Sequence, residues 1–317
     1  MQKRKLGNSG IEVAPLCFGG NVFGWTADEK ASFGLLDAYT GAGFDFVDTA
    51  DVYTRWIEGN KGGESETIIG KWFRQSGKRD KVILATKVGM DMGGENKGLS
   101  KRHILASVEG SLKRLQTDYI DLYQSHADDE TVPQEETLEA YQELIKSGKV
   151  RAIGASNFTA ARLKSAIETA KKHGLPVYQS LQPEYNIYDR EKFEAELAAV
   201  CRENGVGVIN YYALARGFLS GKYRSEADLN KSPRGASVQK NYFNDRGWRI
   251  LDALDKVAAN TNSAPAQVAI AWLNTRPEVT APIASATSIE QLEDLIKAVT
   301  LKMNDEDVKV LDAASGY

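Results

Sequence analysis

The sequence contains few cysteines and few histidines. Its two cysteines among 317 residues, Cys17 and Cys201, both lie in apolar stretches. A secreted scaffold held together by disulfides is therefore excluded, and we expect two buried thiols in a reducing compartment. No apolar run is long enough to span a bilayer, and the N-terminal residues lack an apolar signal core. These absences predict a cytoplasmic protein without a membrane partner.

The sequence also lacks a strong excess of charge and the two common nucleotide-binding turns. Lys and Arg number 40 and Asp and Glu number 43, for a net charge of −3, which argues against a nucleic-acid partner. Neither a GxGxxG motif nor a Walker A motif occurs. Any nucleotide would therefore have to be bound without a Rossmann-type turn or a P-loop.

Short apolar runs alternate with amphipathic segments along the chain. Each run is too short for a helix, is rich in Val, Ile and aromatic residues, and lacks the polar alternation of a half-exposed strand. The eight candidate strands are residues 16–20, 44–50, 82–88, 119–125, 150–156, 178–183, 206–212 and 279–284. Their spacing predicts one α/β domain over residues 1–317, a (β/α)8 TIM barrel with extra C-terminal helices. A doubly wound parallel sheet is the alternative.

Two segments depart from this alternation. Residues 1–14 have the pattern of a β-hairpin with its turn at residues 8–10, and we expect this hairpin to plug the barrel floor. Residues 213–244 are predicted to form a long, basic loop, which in a compact domain is usually functional. Elsewhere helix ends are recognisable, with Ser100 as a typical N-cap and Gly174 as a typical helix stop.

Four polar residues stand at or just after the carboxyl ends of three candidate strands, and they are Asp48, Tyr53, Lys87 and His126. In a parallel barrel these ends share one mouth, where such barrels carry out catalysis. Tyrosine is a weak acid at neutral pH unless its phenolate is stabilised. We therefore predict an acidified Tyr53 as general acid, Lys87 as its modulator and Asp48 as the partner of the lysine. His126 would hydrogen-bond the substrate oxygen, and the set predicts carbonyl reduction.

The same region contains partial motifs of two other chemistries. His126 and Asp128 form an HxD pair, which raises the alternative of a metal-dependent hydrolase, but a metal site needs further ligands and we expect none here. Ser156 in GASNF is similar to a nucleophile elbow. Phe158 stands where that turn needs glycine, and the order of serine, histidine and acid is wrong for that fold, so we discard this reading.

Several longer motifs follow one another along the chain: DTADVY, ATKVG, YIDLYQSHADD, GASNF, QPEYN and YYALARGFLSGKY. With them the sequence resembles the aldo-keto reductase superfamily over essentially its whole length. LARGFLSGKY is typical of the branch that contains bacterial general aldo/keto reductases and potassium-channel β subunits. The resemblance implies the barrel, the tetrad described above and a nicotinamide cofactor.

The resemblance also implies which residues contact the nicotinamide. Ser156, Asn157 and Gln179 would hydrogen-bond its carboxamide, and Tyr211 would stack on its ring. Further residues that the resemblance places beside the cofactor are Gly20, Asn21 and Asp48.

Basic residues would hold the phosphates. By resemblance, Leu214, Arg216 and Lys222 belong to the loop around the pyrophosphate, and Arg234 adds a charge. Arginine and lysine side chains both suit phosphate oxygens. Lys222 and Arg234 are the grounds for expecting NADPH (NADP+) rather than NADH, which stays an alternative. At the adenosine end, Thr287, Gln291 and Asp294 match family positions, whereas Ser285 and Leu295 depart from the family pattern.

Aromatic residues near the mouth are candidates for the substrate pocket: Phe23, Trp25 and Trp56. We expect an open site that accepts small carbonyl substrates. A slow-turnover NADP(H)-binding regulatory or sensor protein, similar to channel β subunits, is the alternative function, because the tetrad does not discriminate between the two. The sequence leaves open whether the protein is a monomer or a homo-oligomer.

Overall fold

The structure, a computed structural model that describes residues 1–94 and 96–317, is built on eight parallel strands. They are β3 (Cys17–Gly19), β4 (Phe46–Asp48), β5 (Ile83–Val88), β6 (Ile120–Ser125), β7 (Val150–Ser156), β8 (Ser180–Gln182), β9 (Gly207–Val208) and β10 (Ile283–Ala284). They are ordered β10-β3-β4-β5-β6-β7-β8-β9. Val208 also pairs in parallel with Val279, and its carbonyl accepts a hydrogen bond from Thr280 N at 2.7 Å. The sheet therefore closes, which confirms the (β/α)8 barrel over the doubly wound alternative.

The strands are buried on both faces, as their unalternating sequences predict. One set of side chains fills the inside of the barrel: Cys17, Phe46, Ala85, Leu122, Ala152, Ile209, Ala281 and Ile283. The alternate positions, such as Val47, Leu84 and Tyr123, pack in the larger core with the helices. Because successive strand residues face opposite sides, each strand joins the two cores.

The N-terminal hairpin consists of β1 (Arg4–Lys5) and β2 (Glu12–Val13), which pair antiparallel. Leu6 and Val13 are fully buried and join the core inside the barrel, so the hairpin forms the predicted plug. The turn approaches strand β8 closely. Gly7 has φ +55°, and a Cβ there would lie 2.1 Å from the carbonyl oxygen of Gln179, so this position requires glycine.

Helices cover the outside of the barrel. Those that follow the first strands are α1 (Glu29–Gly41), α2 (Glu64–Ser76), α3 (Lys101–Leu115), α4 (Gln134–Lys146), α5 (Ala160–His173) and α6 (Ala198–Asn204). Ser100 caps α3 by accepting a hydrogen bond from His103 N, and Gly174 ends α5 in the left-handed conformation. Both predicted helix ends are confirmed.

The prediction of a long loop over residues 213–244 is wrong in part. The segment contains 3-10 turns at Ala215–Ser220 and Glu226–Lys231 and a helix, α7 (Gly235–Tyr242). These pieces are too short for their periodicity to be recognised in the sequence. Helices α8 (Asp245–Thr261) and α9 (Pro265–Asn274) precede β10, and α10 (Ile289–Thr300) and α11 (Asp305–Ala314) follow it.

None of the helices within residues 1–94 and 96–317 combines the length and the apolar character that crossing a membrane requires.

Candidate active site

The structure brings Asp48, Tyr53, Lys87 and His126 together at the carboxyl ends of three adjacent strands. Asp48 ends β4, Lys87 is the penultimate residue of β5, and His126 directly follows β6. Strand β5 pairs in parallel with both β4 and β6, so these ends lie side by side. Tyr53 lies in the turn after β4, and its ring meets the His126 ring edge-on with centroids 6.0 Å apart.

Lys87 is the centre of the cluster. Its side chain is 0% exposed, and Nζ donates to Asp48 Oδ2 at 2.6 Å, to Tyr53 Oη at 2.7 Å and to the Thr49 carbonyl at 2.8 Å. An ammonium has three protons, so all of its donors are engaged. The buried charge is therefore both paired with a carboxylate and fixed in direction, as a buried charge must be to be tolerated.

Asp48 accepts hydrogen bonds on both oxygens. Oδ2 faces Lys87 and also accepts from Tyr53 Oη at 3.2 Å. Oδ1 accepts from Gln124 Nε2 at 3.1 Å and from Gln182 Nε2 at 3.0 Å. Neither glutamine is among the site residues predicted from the sequence. The available signal was a polar residue at or next to the end of strands β6 and β8, inside otherwise apolar runs.

The electrostatics of Tyr53 differ from the expectation. Burial, followed by the negative charge of Asp48, raises the pKa of Tyr53 well above its ordinary value. The phenol therefore keeps its proton at neutral pH, and the predicted acidification is not found. Lys87 nevertheless donates directly to the phenol oxygen, so the group that would stabilise a phenolate is already in place.

His126 is held as a neutral imidazole. Burial, and then the positive charge of Lys87, lower its pKa well below the ordinary value. Its backbone is fixed on both sides, because His126 N donates to Val88 O at 2.8 Å and Asn157 Nδ2 donates to His126 O at 2.9 Å. Nδ1 is buried without a hydrogen-bond partner among the described residues. A neutral imidazole carries one N–H, which can donate one hydrogen bond to a ligand.

The geometry removes the support for the two alternative chemistries. Asp128 forms a two-point ion pair with Arg162, at 2.5 Å to Nε and 3.0 Å to Nη2, so its carboxylate is already engaged. No group of three His, Cys, Asp or Glu residues able to hold a metal occurs in the described part of the chain. The Ser156 hydroxyl donates to Gln182 O at 2.8 Å rather than to an imidazole.

Three of the predicted nicotinamide contacts lie together beside the tetrad. Asn157 has a left-handed φ of 56°, and its Oδ1 accepts from Tyr211 Oη at 2.9 Å while its Nδ2 lies 3.1 Å from Ser156 Oγ. These contacts form a polar rim next to His126. A group with amide donors and acceptors could be held there.

Gln179 does not belong to this rim, and its predicted place is wrong. It precedes β8, at the opposite end of the barrel, where its Oε1 accepts from Asn8 N of the hairpin at 2.9 Å. Its Nε2 donates to Val177 O at 2.9 Å. The glutamine at the carboxyl end of β8 is Gln182, which is buried against Asp48.

The segment after β9 has an unusual backbone. Tyr212, Ala215, Arg216 and Gly217 all have positive φ, and such turns can direct backbone N–H groups into a concavity that suits anions. Within it, Leu214 O accepts from Gly217 N at 2.8 Å. The Arg216 guanidinium lies 4.3 Å from the centre of the Tyr212 ring. Its Nε is buried without a hydrogen-bond partner among residues 1–94 and 96–317.

Two further cations lie on the same segment. Lys222 is exposed, with Nζ 5.1 Å from the centre of the Tyr223 ring. Arg234 is half-buried, and its guanidinium lies 5.4 Å from the centre of the Trp25 ring. Burial lowers the pKa of Arg234, and no carboxylate within the described residues forms an ion pair with it. Both side chains could bind an anion.

The segment after β10 meets the one after β3. The Ser285 hydroxyl lies 2.7 Å from both Gly19 O and Asn21 Oδ1. Gly20 is buried, and a Cβ there would lie 3.1 Å from the Asp48 carbonyl oxygen. Thr287 N donates to Gln291 Oε1 at 2.9 Å. These residues could hold a ligand that lies across the ends of β3 and β10.

Asp294 and Leu295 serve contacts within the protein. Asp294 Oδ1 accepts from Gln267 Nε2 of α9 at 3.0 Å and lies 3.5 Å from Lys297 Nζ. Leu295 is buried in the outer core. One contact joins α10 to α9 and the other lies within α10, so neither engages Asp294 with residues of the mouth.

Two of the three predicted pocket aromatics, Trp25 and Trp56, lie in one aromatic cluster with Tyr53. Trp56 is 52% exposed, and it packs edge-on against Trp25 at 5.8 Å and Tyr53 at 6.3 Å between ring centres. The prediction for Phe23 is wrong, since it is 0% exposed and stacks on Phe18 in the core at 5.4 Å. An apolar side chain in a tight turn can face either way, and the sequence does not distinguish the two.

Comparison with known proteins agrees with this architecture. The sequence pattern of the Aldo/keto reductase family matches residues 15–315. The chain is 37% identical to the uncharacterized oxidoreductase YrpG of Bacillus subtilis, covering 98% of this chain and 95% of YrpG. It is 35% identical to the aldo-keto reductase YhdN of the same organism, covering 98% and 92%.

A plant protein is similarly related. The chain is 35% identical to a probable voltage-gated potassium channel subunit beta of Oryza sativa subsp. japonica, covering 94% of this chain and 91% of that protein. With a family match from residue 15 to residue 315, a closed eight-stranded barrel and relatives aligned over nearly their full lengths, the chain belongs to the aldo/keto reductase family.

Proposed function

We propose that the chain, acting as one barrel of residues 1–317, reduces aldehydes or ketones to alcohols with NADPH, with Tyr53 as the general acid. Membership of the family supports the coarser part of this proposal, an oxidoreductase that uses a nicotinamide cofactor. The observation that carries the finer part is Lys87 Nζ, which lies 2.7 Å from Tyr53 Oη while it is bonded to Asp48 at 2.6 Å.

Proton transfer is the task of the tetrad. A substrate oxygen beside Tyr53 and His126 would accept a hydrogen bond from the neutral imidazole, which orients the carbonyl and stabilises the charge that develops on its oxygen. Tyr53 then gives its proton to that oxygen. The phenolate left behind is stabilised by Lys87, whose charge Asp48 balances. In the resting site the Tyr53 proton points to Asp48 at 3.2 Å, so a rotation of the hydroxyl precedes transfer.

The polar rim fits the cofactor. When bound, reduced nicotinamide supplies a hydride to the carbonyl carbon. Ser156 and Asn157 would hydrogen-bond its carboxamide, and the half-buried Tyr211 ring would pack on its face. Gln182 is the further candidate for this rim, in place of Gln179, because it ends β8 beside Asp48.

The cationic segment fits the phosphates. The positive-φ backbone around Arg216, and its Nε, which has no hydrogen-bond partner within the described residues, offer donors for a pyrophosphate. Lys222 and Arg234 carry the preference for NADPH, and NADH is the alternative donor. Gly20, Asn21, Thr287 and Gln291 would hold the adenosine end, where β3 and β10 adjoin. Asp294 contacts Gln267 and Lys297 instead, and we assign it no contact with the cofactor.

The mouth suits a small carbonyl substrate. Trp25 and Trp56 form an aromatic wall next to the Tyr53 phenol, and Trp56 is exposed on its outer side. We propose an open site with broad tolerance for small aldehydes. A panel of aldehydes in which one substrate exceeds all others by several orders of magnitude in kcat/KM would rule this out.

The test of the function is the Tyr53→Phe variant. Removal of the phenol should lower kcat for aldehyde reduction by at least about a hundredfold, while the Kd for NADPH, measured by tryptophan fluorescence, stays within about twofold. Tyr119→Phe is the matched control, because Tyr119 precedes β6 at the other end of the barrel, and it should retain full activity. Undiminished turnover in Tyr53→Phe would refute the assignment of the acid.

A second candidate function is favoured by one observation, the similarity to the plant protein named as a channel β subunit. In that case the chain would bind NADP(H) tightly and turn over slowly, as a regulatory or sensor protein. Cofactor release slower than the hydride-transfer step, together with a stable stoichiometric protein partner, would support it. Rapid multiple turnover with free exchange of cofactor would reject it.

A further inference from the structure

A buried glutamine outside the tetrad contacts its carboxylate. Gln124 lies on β6 with 0% exposure, two residues before His126, and its amide donates to Asp48 Oδ1 at 3.1 Å. Its own Oε1 accepts from Gln182 Nε2 at 3.3 Å. Gly154 on the neighbouring strand leaves the room for this side chain, because a Cβ there would lie 3.0 Å from Gln124 Cγ. The side chain is thus directed into the barrel.

The two oxygens of the Asp48 carboxylate have different hydrogen-bond partners. Oδ1 is held by the two amide groups, and Oδ2 is held by Lys87 at 2.6 Å and Tyr53 at 3.2 Å. Hydrogen bonds to one oxygen of a carboxylate draw negative charge away from the other. An Asp48 without its amide partners would hold the Tyr53 proton more strongly and would compete more strongly for the charge of Lys87.

We propose that Gln124 is a positioning residue for the reduction, which orients Asp48 and takes up part of its negative charge so that Tyr53 can release its proton to the substrate. The inference rests on the proposed function, in which Tyr53 is the acid. Gln124 does not touch the substrate in this account. Its effect is transmitted through Asp48, and it therefore acts on the chemical step rather than on binding.

The direction of the effect follows from the charges around Tyr53. The negative charge of Asp48 already raises the pKa of Tyr53. Without the Gln124 amide, the Asp48 carboxylate loses a hydrogen bond that stabilises part of its negative charge. The pKa of Tyr53 therefore rises further, and the phenol becomes a weaker acid. Reduction should slow, and the alkaline limb of the pH profile, where Tyr53 loses its proton, should move to higher pH.

The test is Gln124→Met, which keeps the length of the side chain and removes its donor. We expect kcat to fall roughly tenfold, the loss of one hydrogen bond to a charged group, with an alkaline limb at higher pH. KM for the aldehyde and Kd for NADPH should change less than about twofold. The matched control is Gln179→Met, on the same barrel but at the hairpin end, which should leave the pH profile unchanged.

Gln124→Glu is a second variant that separates charge from packing. A carboxyl beside Asp48 should take up a proton because two adjacent carboxylates repel each other, and the protonated form can donate the missing hydrogen bond. Activity should therefore approach that of the wild type at low pH and fall once this carboxyl ionises. Activity of Gln124→Glu that is no higher than that of Gln124→Met even at low pH would overturn the proposal.

Other outcomes of these experiments distinguish a positioning role from simple packing or a disordered site. Gln124→Met with kcat within twofold and an unshifted alkaline limb means that Gln124 only packs. A fall in kcat matched by equal rises in KM and Kd, without a pH shift, means a disordered site instead. Failure of the proposed function looks different, because then the wild type does not reduce aldehydes or Tyr53→Phe stays active.

Discussion

Asp51 offers a quantitative test of the electrostatics beside the site. It lies in the turn between Asp48 and Tyr53, is 3% exposed, and its Oδ1 has no hydrogen-bond partner among the described residues. Burial raises its pKa from 3.8 to about 7; Glu66 adds to the rise, while Arg114 opposes it. The perturbation is Asp51→Asn, which removes the titration and keeps the shape of the side chain.

The magnitude follows from linkage between protonation and folding. Between pH 3.8 and 7, folded Asp51 keeps a proton that the unfolded chain releases, so the stability of the folded state falls as pH rises through this window. The resulting loss of folding stability is about 2 kcal/mol at pH 5.5 and reaches about 4 kcal/mol above pH 7, at 1.36 kcal/mol for each pH unit. Asparagine carries no such cost. The free energy of unfolding of the variant relative to that of the wild type should therefore be about 2 kcal/mol larger at pH 8 than at pH 5.5.

The assay is urea unfolding of both proteins at pH 5.5 and pH 8.0, followed by tryptophan fluorescence. Other titrating groups are common to the two proteins and cancel in the difference. The control is Asp252→Asn, at an exposed position on α8. Its stability difference from the wild type should be the same at the two pH values. A stability difference for Asp51→Asn that is equal at the two pH values would refute the reasoning.

Three further outcomes are expected. Lys87→Met should lower kcat by at least about a hundredfold, measured in the steady state, since no cation then stabilises the Tyr53 phenolate; activity within tenfold of wild type would count against this role. Gly7→Ala should destabilise by more than about 2 kcal/mol, measured by urea unfolding, because the methyl group collides with the Gln179 carbonyl at 2.1 Å; an unchanged midpoint would contradict the hairpin contact. Trp56→Ala should raise KM for aromatic aldehydes several-fold more than for aliphatic ones of similar size, and equal effects would remove Trp56 from the pocket.

The tetrad could be predicted from the sequence because each member lies at the end of an apolar run or in the turn that follows it. In a parallel barrel all such ends meet at one face, so position along the chain translates directly into position in space. The barrel itself was predictable for the same reason, from the regular alternation of buried strands and amphipathic helices. Gln124, by contrast, lies within such a run, where its neighbours predict burial but not a partner.

The wrong predictions concern residues whose local sequence does not show where the side chain lies in the fold. Candidate strand 178–183 has a glutamine near each end, and only the structure shows that Gln182 closes the strand and Gln179 precedes it. Phe23 and Trp25 share one turn, yet one is in the core and the other at the mouth. The raised pKa of Tyr53 depends on burial and on the distance to Asp48, and neither quantity is encoded in spacing.

The most direct test of the account is to follow the hydride. Purified protein would be mixed with 4-nitrobenzaldehyde and NADPH carrying deuterium at both C4 positions, and the alcohol analysed by mass spectrometry. The account predicts one deuterium on the former carbonyl carbon for each NADPH oxidised, and almost no alcohol from Tyr53→Phe. Alcohol without deuterium, or no alcohol from the wild type under conditions where NADPH binds, would contradict it.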